Sequence, residues 1–446
     1  MGARVTHTGS RAREVADGWS APAAEAMKAL AAGVRRGTLP RHAPSHGDVS
    51  GRIGHVSDRG SVGRPAHDCL PLSSGGPAGE KWILGLDLLR AFSACWVVLT
   101  HGEAVIGPAF PNFPKFGFFN AVDAFFVLSG FLIGRIILRD VAEDARATGW
   151  AGLRRFWARR WLRTVPAYWA ALVACWLLRR LFTGMYPAPD WRYVFFLQSA
   201  WGPHPSFFPN AWSLCVEEWF YLLFPAVVLL SLSVFRLRGR SSFLVAAVLL
   251  IVTGMLARAL LVDSMAVRGG LGWRGGFLLF RIDAIAFGAV AALVFEAWPV
   301  AWRRGAIAGP ILAILVAVLA PRLVESKFAR RALGPAIGTL SKALWLPLFS
   351  RIHSAPAWFA GPVRRLSQVS YSMYLVHAPL VLRPIRYFAD PRAPWACTGW
   401  YVAYFVLTAV ATWLLWRFVE GPGLGLRERL FPADVAEANR APVAGG

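Results

Sequence analysis

An all-α, polytopic transmembrane helix bundle of about ten spans, with both termini cytoplasmic, is the fold class this sequence predicts, and three observations predict it. The 446 residues are 56% hydrophobic and only 16% charged, with a mean hydropathy of +0.45, far more apolar than an ordinary soluble domain. The apolar residues gather into blocks of roughly 17 to 24, the length a helix needs to cross a hydrocarbon core. Unbroken runs of that length also exclude the alternating strands of a barrel. Finally, Lys and Arg collect in every second connection, as the positive-inside rule requires of cytoplasmic loops.

The spans are expected near 83–102, 117–138, 164–183, 211–235, 243–262, 275–297, 306–321, 335–350, 368–387 and 399–418. Seven arginines lie between Arg139 and Arg163; Arg236, Arg238 and Arg240 follow the fourth span, Arg303 and Arg304 the sixth, and Arg351, Arg364 and Arg365 the eighth. The opposite connections are poor in charge except for Arg322, Lys327, Arg330 and Arg331, which make spans seven and eight the weak point of the topology. A net charge of +23 would suggest nucleic acid for a soluble chain, but here it sets membrane orientation, and no nucleic-acid partner is expected.

Residues 1–80, rich in Gly, Ala, Ser, Arg and Pro, read as a disordered cytoplasmic tail, or as sequence upstream of the true start. Residues 81–430 form one membrane domain and 431–446 a short tail. No apolar signal-peptide region precedes the first span. Of the five cysteines, Cys95, Cys175 and Cys215 fall inside spans and offer neither a disulfide framework nor a metal-ligand spacing.

Charged residues within spans cost about 2.5–3.5 kcal/mol each near the bilayer centre, so each needs a reason. In the first span Arg90 and His101 are eleven residues apart, which places them on one helix face about 16 Å apart along the axis. Asp87, three residues before Arg90, can pair with it. An imidazole there can take a proton from an attacking hydroxyl or carry an acyl group; the competing interpretation is an interfacial histidine beside a snorkelling arginine. In the second span Asp123 and Ser129 sit among aromatics, and Gly130 and Gly134 have the spacing that lets two helices approach closely. Arg159 and Arg163, with Arg160 adjacent, are either a lipid-facing topology anchor or a clamp for the phosphates of a cytoplasmic donor. The fourth span carries Trp212, Glu217, Glu218 and Tyr221, with Arg90 or Arg281 the cations available to its glutamates. Arg281 and Asp283 lie near the outer end of the sixth span, where snorkelling competes with function. In the ninth, Ser370, Tyr374 and His377 align as a polar stripe beside Tyr371. No role follows for Glu420 from the residue itself.

Taken in order, these blocks carry a resemblance. Arg90 followed after ten residues by His101, then DAFFVLSGFLI from Asp123, FWARRWLRTVPAY from Phe156, WSLCVEEWFYLLFP from Trp212, RIDAIAFG from Arg281, SYSMYLVH from Ser370 and VEGP from Val419 together resemble the acyltransferase-3 family. Its members are multi-span membrane acylases that O-acetylate bacterial polysaccharides, lipopolysaccharide O-antigens, nodulation factors and some antibiotics. The resemblance implies that His101 and Arg90 are the catalytic pair, that the donor is acyl-CoA, acetyl-CoA in the first place, reached from the cytoplasm, and that the acceptor is a hydroxyl of a cell-envelope glycan or small molecule; beside it, the residues suggest that Arg159, Arg160 and Arg163 hold the donor's phosphates and that Glu217 joins the catalytic pair in orienting groups and balancing charge. It implies a bacterial cytoplasmic membrane enzyme of the stand-alone type, with Asp87, Asp123, Ser129, Trp212, Glu218, Tyr221, Arg281, Asp283, Ser370, Tyr371, Tyr374 and His377 as substrate-binding or supporting residues and no metal. The rival class is a transporter of a glycan or lipid, since intramembrane charges also mark translocation paths.

Overall fold

The computed structural model describes residues 83–139, 145–183, 190–200, 207–269, 278–324, 326–388 and 394–432; the expected tail at 1–80 and nearly all of 431–446 lie outside them. By internal contacts the chain divides into two units. Of Met1–Leu72 with Trp176–Pro187, the described part is the last turns of one helix; Ser73–Cys175 with Ala188–Gly446 is the helical body.

Helices succeed one another as α1 (Leu84–Ile106), α2 (Ala121–Ile137), α3 (Ala145–Thr183), the short α4 (Trp191–Val194), α5 (Ala211–Val234), α6 (Gly239–Gly269), α7 (Ile282–Ala297), α8 (Pro299–Leu323), α9 (Lys327–Ala343), α10 (Leu346–Phe349), α11 (Ala357–Val376), α12 (Arg383–Phe388), α13 (Pro394–Leu415) and α14 (Gly421–Leu430). A π-helical turn at His377–Leu382 joins α11 to α12, and another at Trp416–Glu420 joins α13 to α14. Among the described residues there is no strand.

Each expected span falls largely on helix where it is described, and among the described residues six helices are long and apolar enough to cross a bilayer on their own account. The others depart for physical reasons. α2 and α7 are only 17 and 16 residues long, short of the roughly 20 a full crossing needs. They are instead buried against each other: a methyl group added at Gly130 would collide with the Ile285 carbonyl, and one at Gly288 with that of Val127. The small-residue pair in the second span thus serves close packing against α7, with Ala289 and Ala292 opposite Gly134. The eighth expected span is broken after Ala343, where α9 gives way to α10.

Stripes of exposed apolar residues at helical spacing, Ile307, Ile311, Ile314 and Val318 on α8 and Val402, Val406, Val410 and Trp413 on α13, face outward where lipid replaces protein as the partner. Inside, Phe126, Phe131, Phe220, Phe224 and Phe243 join α2, α5 and α6 in the largest core cluster. The chain turns at Gly85, whose N–H donates to the Ile352 carbonyl at 2.8 Å; a side chain there would strike the Phe349 carbonyl. Further along, Asp87 meets Ser367 and His101 meets His377, so α1 and α11 run parallel, as first and ninth spans must if each span between them crosses the membrane once.

A cluster of paired charges ties α2, α6, α7 and α9. Arg258, 1% exposed, donates to both oxygens of Asp283 at 2.9 and 2.6 Å, and also to the carbonyls of Ala332 and Phe280. Arg281 pairs with Asp123, whose other oxygen lies 3.6 Å from Lys342 Nζ. Gly254 leaves room for Asp283, since a Cβ there would come within 2.8 Å of the aspartate's own Cβ. Arg281 and Asp283 are therefore not snorkelling at an interface but buried in a satisfied network, where the partner supplies what water would otherwise supply.

Candidate active site

α3 carries Pro166 within a long helix. Proline lacks the N–H that would bond to the carbonyl four residues back, and the freed Leu162 carbonyl faces Gly423, where a Cβ would come to 3.2 Å. The turn before this proline presents Arg160, Arg163 and Thr164 to a cavity between the helices. α1 contributes Arg90; α2 contributes Val122, Phe125, Phe126 and Ser129; α5 contributes Ser213, Leu214 and Glu217; α11 contributes Ser370, Tyr371 and Tyr374.

The wall is hydrogen-bonded but not electrically balanced. Arg160 donates to the Tyr221 hydroxyl at 2.8 Å, lies 4.1 Å above that ring and is 3.9 Å from Glu217. Tyr221 also bonds to Ser129 and, at 3.4 Å, to Glu217. At the α1 side Asp87 accepts from Ser367 at 2.6 Å and lies 3.6 Å from Arg90, which reaches the same serine at 3.4 Å. Arg163 makes no ion pair within 4.0 Å among the described residues. Three guanidinium groups therefore face the cavity against the single lining carboxylate of Glu217, an arrangement that attracts an anion.

At the far end the lining stops at Tyr374, whose hydroxyl lies 2.6 Å from Ser213. One helical turn on, His377 is fully buried and its Nε2 is 3.0 Å from His101 Nδ1. His101 is itself exposed. Arg90 and His101 do share the face of α1 turned to α11, touching Ser367 and His377 respectively, but only the arginine lines the cavity.

The other expected site residues separate into groups. Glu217, Tyr221, Ser129, Ser370, Tyr371 and Tyr374 gather at or against the cavity, Tyr371 donating to the Thr164 carbonyl at 2.9 Å. Glu218 is buried behind it, and Trp212 packs edge-on against Phe126. Asp123, Arg281 and Asp283 belong to the charge network of α2, α7 and α9, so the cation of Glu217 is Arg160 rather than Arg281. Arg159 does not join Arg160 and Arg163: successive helical residues point about 100° apart, and its guanidinium turns to the Phe431 carbonyl and to Glu428 at 3.4 Å.

Residues overlooked in the sequence are Thr164, Ser213, Asn210, Ser367 and Arg258. The first two stand inside blocks already singled out, and Arg258 announces itself as an arginine within the fifth span. Asn210 and Ser367 carry no local signal, because their partners, Tyr374 and Asp87, are distant in sequence. Glu420, left without a role, accepts from Ser372 at 2.5 Å and is buried.

Comparison with known proteins bears on the family of the chain. The chain is 26% identical over 373 residues to YrhL of Bacillus subtilis (strain 168), provisionally named a peptidoglycan O-acetyltransferase, covering 77% of this chain and 55% of that protein. It is 24% identical over 388 residues to the O-acetyltransferase OatA of Staphylococcus aureus (strain NCTC 8325), covering 79% of this chain and 58% of OatA. The chain thus spans a little over half the length of these curated relatives. No solved structure matches it significantly. A family model described as an acyltransferase domain matches residues 83–417, most of the chain, and the chain therefore belongs to the acyltransferase-3 family.

Proposed function

We propose that this protein is an O-acyltransferase of the bacterial cytoplasmic membrane that moves an acetyl group from acetyl-CoA to a hydroxyl of a cell-wall glycan of the peptidoglycan type. The observation that carries the reading is the cavity lined by Arg160 and Arg163, the latter in no ion pair within 4.0 Å among the described residues, with the His101–His377 contact one helical turn beyond Tyr374. Family membership and the names of the relatives agree with the reaction class.

In this reading Arg163 and Arg160 bind phosphate oxygens of the donor. Its thioester arm passes between Ser129 and Ser370 toward Tyr374. The acceptor hydroxyl reaches His101 from the exposed side. His101 takes the hydroxyl proton as the oxygen attacks the thioester carbonyl; the tetrahedral intermediate collapses, the carbon–sulfur bond breaks, and the departing thiolate takes that proton to leave as the free thiol. Arg90, held by Asp87 and Ser367, supplies positive charge along the same helix face in a site poor in water.

The reading is tested by measuring base-labile acetate on purified cell-wall glycan from cells with and without the gene. Acetate that disappears with the gene and returns with a wild-type copy, but not with His101→Ala at equal membrane abundance, is the expected result. Unchanged acetate together with glycan stranded on one side of the membrane would instead favour an exporter.

A further inference from the structure

We infer that His377 is a positioning residue that locks His101 in the Nδ1–H tautomer, leaving its Nε2 lone pair bare as the base; this rests on the proposed role of His101. The protons can be counted from the acceptors. His377 Nδ1 is 3.1 Å from the Met373 carbonyl, which can only accept, so that nitrogen carries hydrogen. No carboxylate among the described residues pairs with this fully buried ring, and a charged imidazolium without a counter-ion is expensive in a membrane interior. A neutral His377 with hydrogen on Nδ1 has a bare Nε2. The 3.0 Å contact to His101 Nδ1 must then be donated by His101. The Val97 carbonyl, one turn back on α1, also accepts from the His101 ring.

Asn210 braces the arrangement from α5. Its amide donates to the Tyr374 carbonyl at 2.7 Å and lies 3.4 and 3.5 Å from the two His377 ring nitrogens. His377 also stands at the first position of the π-helical turn, a rare feature that accumulates at functional sites, and Pro379 within that turn withholds one N–H from the helical ladder.

The chemistry follows. When His101 takes the acceptor proton on Nε2, its Nδ1–H remains donated to His377, so the new imidazolium keeps an acceptor without a proton having to move. A carboxylate plays this part in hydrolytic triads; here a neutral imidazole does so without placing a second charge in the membrane interior.

His377→Phe keeps the ring and removes both nitrogens, whereas His377→Gln retains an oxygen that can accept from His101. With purified protein, His377→Phe is expected to lower kcat at least about 30-fold, consistent with the cost of a mis-set imidazole, while the donor KM changes less than about twofold, and His377→Gln is expected to recover a substantial part of kcat. Equal kcat in all three proteins, or Phe and Gln variants equally impaired, would overturn the inference. Because a variant can fail to fold, the wild-type protein labelled with ¹⁵N-histidine supplies an independent reading: protonated Nδ1 on His101 is expected, and protonated Nε2 at neutral pH overturns the inference. Normal transfer by His101→Ala would instead sink the proposed role of His101, and the wild-type spectrum separates these two failures.

Discussion

Two regions of this molecule bury charge in the membrane, and they do so in opposite ways. Between α2, α6, α7 and α9, every named cation meets a carboxylate: Arg258 with Asp283, Arg281 and Lys342 with Asp123. Around the cavity between α1, α3, α5 and α11, the pairing is loose at 3.6 and 3.9 Å, and Arg163 is left facing open space. The first arrangement is tightly knit, its two aspartates committed by ion pairs to three cations. The second opens on a cavity, its ion pairs are longer, and Arg163 has no carboxylate within 4.0 Å among the described residues. On the proposed reading, the charges at the cavity serve binding and those of the first region serve packing.

This contrast can be broken by substitution. Asp283→Asn leaves Arg258 buried without its counter-ion, which typically costs about 3–5 kcal/mol; the midpoint of thermal unfolding in detergent should fall markedly while acetyl transfer per folded molecule stays near wild type. A stable variant with a changed donor KM would erase the distinction between the regions. Arg163→Gln should do the reverse. Loss of a hydrogen bond from a charged group is worth about 1.5–3 kcal/mol, so the donor KM should rise roughly 10- to 100-fold with the unfolding midpoint unchanged, whereas Arg159→Gln should leave KM alone because that side chain faces Glu428.

Gly130→Ala sharpens the comparison on the packing side. The methyl group would collide with the Ile285 carbonyl and press on the Ala289 backbone nitrogen, and overpacking of this kind costs about 1–3 kcal/mol, read as a lower unfolding midpoint without a KM change. The smallest effect belongs to a loop outside the spans. Hydrogen bonds from the Arg192 guanidinium hold the Asp190 carboxyl below the usual carboxylate range, and the same side chain accepts from the Arg192 backbone at the start of α4. A carboxyl depressed in the folded state stabilises at pH above its unfolded value and loses that contribution as pH falls through the folded one. Amide protection across α4, taken relative to the intrinsic exchange rate at each pH, should therefore fall in acid but not in base, and Asp190→Asn should remove that acid dependence.

Much of this was legible in the sequence, for identifiable reasons. Apolar blocks and basic loops define helices because length and charge act locally, and the parallel course of α1 and α11 follows from counting crossings. Arg90, Glu217 and the α11 stripe could be selected because charge in a span is intrinsically conspicuous. What stayed hidden was partnership. Asp123 and Glu217 are equally conspicuous in the sequence, yet one is neutralised by Arg281 and Lys342 while the other lines a cavity, and only packing decides between them. Arg159 and Arg160 differ by a rotation of about 100°, which sends one to α14 and the other to the cavity. His377 looked like an interfacial anchor because its partner, His101, lies 276 positions away.

The most direct test is made with purified protein in lipid nanodiscs, supplied with acetyl-CoA carrying a labelled acetyl group and a soluble peptidoglycan fragment bearing free hydroxyls. Base-labile label on the fragment with the wild-type protein, falling at least about 100-fold with correctly folded His101→Ala as the removal of a general base requires, is the predicted result. Label transferred equally well by His101→Ala, or none transferred by the wild type, would contradict it.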